Sequence, residues 1–168
     1  MQIKTVHARL APLLLMLWLC LAGCDQQRAD KLNEGVSTEA DVRQQFGEPA
    51  QITERADGSK VLAYPRQPEG STNYEIIIGA DGKMSSLRQL LAPHNFAKIQ
   101  PGMTQAEVSQ ILGRHAKTHR YALKPDEEEW EWRYLDGQSR KIFSVKFDRE
   151  HKVQSSASTD DPRVLEGG

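Results

Sequence analysis

The chain is short of most features that announce a chemistry. It has two cysteines in 168 residues, Cys20 and Cys24, both near the amino terminus. No disulfide can staple the rest of the chain, no cysteine-based metal site can form in it, and stability has to come from packing. Charge of one sign is also lacking. The 22 basic and 23 acidic residues leave a net charge of −1, which gives nucleic acid no electrostatic reason to bind. The apolar run from Leu10 to Ala22 is too short for a comfortable membrane span. Phosphate-binding glycine loops are missing too, because Gly79-Ala-Asp-Gly82 reads as a hairpin turn.

Lys4 and Arg9 ahead of that apolar run mark a signal segment, residues 1–23. Its removal leaves 20 basic residues against 23 acidic ones and a single cysteine. Leu21-Ala22-Gly23-Cys24 resembles the lipobox of bacterial lipoproteins. That resemblance implies cleavage between Gly23 and Cys24, acyl chains (palmitate among them) on Cys24, and attachment to a membrane through that lipid. Several chains on one cysteine satisfy the need for more than one acyl group in stable anchoring. An ordinary secretory signal with an incidental cysteine is the alternative. Cys20 is the poorer acceptor, since bulky Leu19 precedes it. Asp25 resembles the residue that retains lipoproteins at the inner membrane in enteric-type sorting. Sorting differs between lineages, so the outer membrane is favoured and the inner membrane stays open.

What the chain does have is a repeat. Thr38-Glu-Ala-Asp-Val-Arg-Gln-Gln-Phe-Gly47 and Thr104-Gln-Ala-Glu-Val-Ser-Gln-Ile-Leu-Gly113 share Thr, Ala, Val, Gln and Gly in register. Each copy reads as a short helix. Thr38 and Thr104 are N-caps, and Asp41 and Glu107 put a carboxylate in the first turn, with a full capping box expected only at Glu107. Val42 with Phe46, and Val108 with Ile111 and Leu112, form the inward stripe. Gly47 and Gly113 are expected to end the helices in the left-handed region, and Met103 to staple onto Val108.

The same order of strands follows each helix. Val61 to Tyr64, Tyr74 to Ile78 and a run from Lys83 match Trp130 to Tyr134, Ile142 to Phe147 and a run from Lys152. Alternating Trp130, Trp132, Tyr134 and Phe143, Val145, Phe147 turn one face inward, as half-buried antiparallel strands require. The expected fold is therefore α+β: two tandem units, each one or two short helices on a three-stranded antiparallel sheet. The expected divisions are a tether at 24–31, a first unit at 32–91, a second unit at 92–157, and a disordered tail at 158–168, with disorder starting near residue 155. Pro93 opens a short helix over 94–99 that the first unit lacks or replaces by its tether.

Chemistry-bearing clusters are thin. His115 and His119 are four residues apart but follow Gly113, so they do not share a helix face, and no metal site or cofactor is expected. Asp160 and Asp161 read as solvating tail residues. No nucleophile stands beside an acid or base, and no enzymatic activity is expected. The candidate partner-binding residues are Tyr64, Arg66 and Glu69 in and beside the loop through Pro65 and Pro68, and Trp130 and Trp132 after the acidic run. The two tryptophans read first as core, and the loop reads equally well as a plain connector.

Ile99, Gly102, Met103, Thr104, Val108, Leu112 and Gly113, with the looser set Leu32, Gly35, Val36, Thr38, Val42, Phe46, Gly47 and Pro49, resemble the motif of the BamE-like (SmpA/OmlA) envelope lipoproteins. The resemblance covers nearly all of the chain after the signal. It implies helices against a small sheet and a non-enzymatic, lipid-anchored scaffold role facing the periplasm. The implied partners are periplasmic or outer membrane proteins, with the β-barrel assembly machinery foremost, and members can also contact anionic headgroups. The tandem arrangement also resembles secreted β-lactamase-inhibitor proteins, which implies an inhibitor or chaperone-like binding protein as the alternative.

Overall fold

A computed structural model describes residues 25–122 and 124–164. The signal segment and Cys24 lie outside the described residues. The elements are α1 (Asp25–Ala29), α2 (Glu39–Phe46), β1 (Gln51–Glu54), β2 (Lys60–Pro65), β3 (Asn73–Ile78), β4 (Met84–Gln89), α3 (Pro93–Phe96), α4 (Gln105–Leu112), β5 (Lys117–Tyr121), β6 (Lys124–Asp136), β7 (Ser139–Phe147) and β8 (Val153–Asp160), then a 3-10 turn (Pro162–Val164). Two antiparallel sheets result, ordered β1-β2-β3-β4 and β5-β6-β7-β8. The same topology is built twice.

Both units start from the same helix device. Thr38 Oγ1 accepts from the Asp41 amide at 3.3 Å while the Thr38 amide donates to Asp41 Oδ2 at 2.8 Å. Thr104 and Glu107 repeat this at 3.2 and 2.7 Å. The expectation of one full capping box is thus corrected to two, because the shorter Asp41 still reaches the cap amide. Gly47 and Gly113 both have positive φ, 80° and 69°, but their ψ values of −161° and −159° are extended rather than left-handed helical. That region is essentially reserved for glycine. Each glycine amide closes its helix on a carbonyl four residues back, at 2.8 Å.

Val42 and Phe46 seat α2 on Leu62, Tyr64, Tyr74, Ile76 and Ile78; Val108 and Leu112 seat α4 on Trp132, Phe143, Val145 and Phe147. Met103 packs against this second cluster, in keeping with a staple. Even the irregularities match. A register shift falls between Ile77 and Ile78, and its counterpart falls between Lys146 and Phe147. Tyr64 OH donates to Gly47 O and Trp132 Nε1 donates to Gly113 O, each at 3.2 Å, so both units tie the helix end to the second strand.

Four expectations need correction. Each sheet has four strands, not three. Gln51–Glu54 is exposed along its length and Lys117–Tyr121 nearly so, so backbone pairing to β2 and β6 holds them with no apolar alternation to betray them. The disorder expected from near residue 155 and the tail expected at 158–168 both overlap β8, whose exposed Ser and Thr residues are held by pairing to β7 as far as Asp160. Asp161 is not a solvating residue. It is 2% exposed, paired to Arg163 at 2.6 Å and 3.9 Å from Arg133 Nε. The expected tether forms α1 and ends in buried Leu32, with Ala29 packed on the first core as Phe96 of α3 packs on the second. The first unit therefore does have the short leading helix.

Candidate binding surface

The loop over 66–72 departs from an open binding loop because its Gln67 side chain turns inward, onto the second unit, while Glu69 stays exposed. Gln67 is 4% exposed. The Gln67 amide donates to Arg133 O at 2.8 Å and accepts from the Arg133 amide at 3.3 Å. β5 ends its pairing with β6 at Glu131, so the Gln67 side chain supplies the hydrogen bonds that the next strand residue would have made. Arg133 Nη1 returns a bond to Pro68 O at 2.6 Å.

Asn73, 1% exposed, is the second connection. Its Nδ2 donates to Leu112 O at 2.7 Å and to Arg114 O at 2.8 Å, carbonyls at the carboxyl end of α4 that have no partner within the helix. Its Oδ1 accepts from the Arg66 amide at 3.3 Å. Both side-chain donors of one buried asparagine, and its side-chain oxygen as an acceptor, are used across or beside the seam between units. Gly113 allows this approach, since a Cβ there would lie 3.1 Å from Asn73 Nδ2 and 3.3 Å from Leu90 Cδ1.

The named candidate residues separate accordingly. Tyr64 (1% exposed) and Trp132 (0%) are core residues, which removes them from any surface. Trp130 is half-buried and stacks on His115, with ring centroids 4.3 Å apart and planes 19° apart. Arg66 pairs with Asp25, Nε to Oδ2 at 2.9 Å, and reaches Phe46 O at 3.4 Å, so it caps α2 while holding α1. Glu69 is exposed on the loop. The structure does not gather these five into one site. Cys24 and Gly23 lie outside the described residues.

A cleft that sequence reasoning did not find opens between the units. About 590 Å³ lies between the outer face of the first sheet, at Val61, Ala63 and Glu75, and the end of α4 with Arg114 and His115. It continues into an open space of about 1000 Å³ bordered by Arg55, Arg88, His94 and Lys98. Arg88 pairs with Glu75 across β3 and β4, and Lys98 Nζ donates to Asn95 Oδ1 at 2.8 Å. Arg55 and Arg114 have no carboxylate in ion-pair range among the described residues. The walls therefore carry excess positive charge on a chain that is slightly acidic overall. No linear motif marks these residues, because strand and helix pairing brings them together from four separate segments.

The His115 and His119 pair has two structural employments. His115 Nε2 lies 2.9 Å from Thr118 Oγ1, and burial pushes the His115 pKa down. His119 Nε2 sits 2.9 Å from Glu131 Oε1 without hydrogen-bond geometry. No group of three or more His, Cys, Asp or Glu among the described residues is placed to hold a metal ion. No described helix is long and apolar enough to cross a membrane.

Comparison with known proteins adds little to this geometry. No family model matches the chain, and neither does any curated protein. Among solved structures it is similar to an osmotically inducible lipoprotein, OsmE, at 23% identity and TM-score 0.37, over 46% of this chain and 88% of that one. It is also similar to an extracellular protein with an SCP domain from Bacillus anthracis, at 12% identity and TM-score 0.30. That second match covers 80% of this chain and 46% of the other.

Proposed function

We propose that the chain is a lipid-anchored protein of the bacterial envelope, non-enzymatic, whose two clasped units present the inter-unit cleft to an acidic, extended segment of another envelope protein. The observation that carries this reading is the cleft itself. Asn73 and Gln67 hold its two walls in one arrangement, and Arg55 and Arg114 border it with no carboxylate within ion-pair distance among the described residues. A preformed cationic cleft suits an acidic partner, since steering and register both come from charge complementarity. The anchor part of the reading is supported by Leu21-Ala22-Gly23-Cys24. The finer role, an accessory to outer membrane β-barrel assembly, is supported by the Gly102-Met103-Thr104 helix motif and its looser first copy, Gly35-Val36-Ser37-Thr38.

The test is affinity purification of the full chain from envelope fractions after labelling with a fatty-acid analogue. The expected result is label on the wild-type protein and none on Cys24→Ala, with β-barrel assembly components recovered. The double variant Arg55→Glu, Arg114→Glu should lose that recovery without losing the label. Failure to label would sink the anchor. Clean recovery of unrelated proteins alone would sink the assembly role and leave the inhibitor or chaperone-like alternative, which the two-walled cleft also suits.

A further inference from the structure

The residue that follows Cys24 is already part of the fold. Asp25 opens α1, and its carboxylate is held by Arg66 at 2.9 and 3.3 Å and by Arg28 at 3.2 Å. Four residues later Ala29 packs on the first core, and Leu32 is buried in it. A chain anchored at Cys24 would therefore have no spacer between lipid and folded protein. The anchor would emerge at one defined end of the molecule.

That end can be read from the strands. β2 runs from the turn at Gly58 to the loop at 66–72, and its six residues span roughly 20 Å at about 3.3 Å each. At the near end are α1, the carboxyl end of α2 at Phe46, and the loop with Arg66 and Glu69. At the far end the Gly58 turn lies beside the turn at Gly79 to Gly82, a Cβ on Gly58 falling 3.4 Å from Ala80 Cβ. The second unit joins the near end through Arg133, and two residues further along β6 is Leu135, an apolar side chain 50% exposed and paired across the strand with Arg140.

We infer that the near end, formed by α1, the 66–72 loop and the β6–β7 turn, lies against the bilayer, while the turns at Gly58 and Ala80 point away from it. The inference rests on the anchor reading above. A short, structured junction converts a lipid tether into an orienting device, since only the bonds of Cys24 itself separate the lipid from a residue held by Arg66. A flexible spacer of about ten Gly and Ser residues would instead let the fold wander through roughly 18 Å.

The experiment uses the acylated protein in phosphatidylethanolamine and phosphatidylglycerol vesicles that carry a headgroup-level quencher lipid. Glu69→Cys and Ala80→Cys are labelled in turn with a fluorescent maleimide, both positions being exposed. Quenching is expected at residue 69 and only background quenching at residue 80. A Gly/Ser spacer inserted between Cys24 and Asp25 should abolish the difference. Equal quenching at both positions of an acylated protein, or stronger quenching at residue 80, would overturn the orientation and leave the anchor standing. Absence of acyl chains on Cys24 would overturn both.

Discussion

The first and second units put the same topology to different uses, and the differences fall where they touch. At one end of each sheet a similar length of chain runs between equivalent paired positions of the two central strands, Tyr64 to Tyr74 and Trp132 to Phe143. In the second unit β6 and β7 zip up to Asp136 and Ser139 around Gly137. In the first unit pairing stops at Pro65 and Asn73, and the freed segment crosses to Arg133. Proline cannot donate to a ladder, so Pro65 and Pro68 favour the open form. At the place that Ile142 fills in the second unit, the first unit has Asn73, which caps the other unit's helix. One unit closes on itself and the other reaches out. A duplicated fold thus becomes one body by altering the loose end of a hairpin while leaving the core alone.

The largest expected effect tests whether the cores are equivalent. Tyr64 and Trp132 occupy the same place and make the same bond to a helix-ending glycine carbonyl. Trp132→Ala should cost about 3–5 kcal/mol of stability, and Tyr64→Ala a comparable amount. Urea unfolding measures both. Near-neutral behaviour of either variant would mean that the two cores are not the paired structures described above.

Breaking the clasp comes next. Replacing Asn73 by Ala leaves Leu112 O and Arg114 O without donors, at about 1–3 kcal/mol for an unsatisfied buried group. The double variant Gln67→Ala, Asn73→Ala should also split one cooperative unfolding transition into two, visible as non-coincident curves by tryptophan fluorescence and far-ultraviolet circular dichroism. All three tryptophans are residues 18, 130 and 132, so after signal removal fluorescence reports the second unit alone. Coincident curves in the double variant would show that other contacts couple the units.

A finer comparison uses the paired glycines. Both have positive φ, so Gly47→Ala and Gly113→Ala each carry a backbone cost of about 1–3 kcal/mol. Only at Gly113 does the new Cβ press on Asn73 and Leu90, while nothing lies within 4 Å of Gly47. Gly113→Ala should therefore lower the urea midpoint further than Gly47→Ala. Equal midpoints would show that the seam yields freely.

Acid should act on both units through their caps. Bonds from Thr38 hold the Asp41 carboxyl below its ordinary range, and bonds from Thr104 do the same for Glu107. The Arg163 guanidinium holds Asp161 low as well. With folded values below unfolded ones, the stabilisation is present above the ordinary carboxylate range near pH 4 and is lost as pH falls below it. Asp41→Asn and Glu107→Gln should each flatten that acid dependence in urea titrations at graded pH.

Most of the fold was legible in the residues because the cores alternate and the caps repeat. Thr38, Val42, Gly47 and their counterparts named both helices, and Trp132, Phe143, Val145 and Phe147 named the inner strands. β1 and β5 were not legible, and β8 was legible only at its start, in the run from Lys152. Their Gln, Thr, Lys and Ser side chains bury almost nothing, and backbone pairing holds them with a few polar contacts such as Tyr121 to Glu129 and Lys141 to Asp160. The seam was harder still. Gln67 and Asn73 read as loop residues of ordinary polarity, and their partners are backbone carbonyls, which look alike in every sequence. The same limit hid the cleft, whose Arg55, Lys98 and Arg114 meet only after both sheets are built.

The smallest effect separates the units most cleanly, because it depends on a residue with no titrating counterpart. His115 follows its helix-ending glycine by two residues, as Pro49 follows Gly47. Burial favours the neutral imidazole and lowers its pKa, so its folded value lies below the ordinary value near 6.5. The associated stabilisation is complete above that ordinary value and is lost as pH falls through the lower folded one. Protonation also places a cation on the face of Trp130, 4.3 Å away, where an imidazolium quenches indole emission. Tryptophan fluorescence should therefore step down as pH falls below about 6.5 with the protein still folded. Replacing His115 by Phe keeps the stack and should erase the step, whereas a step that survives the replacement would remove His115 as its source.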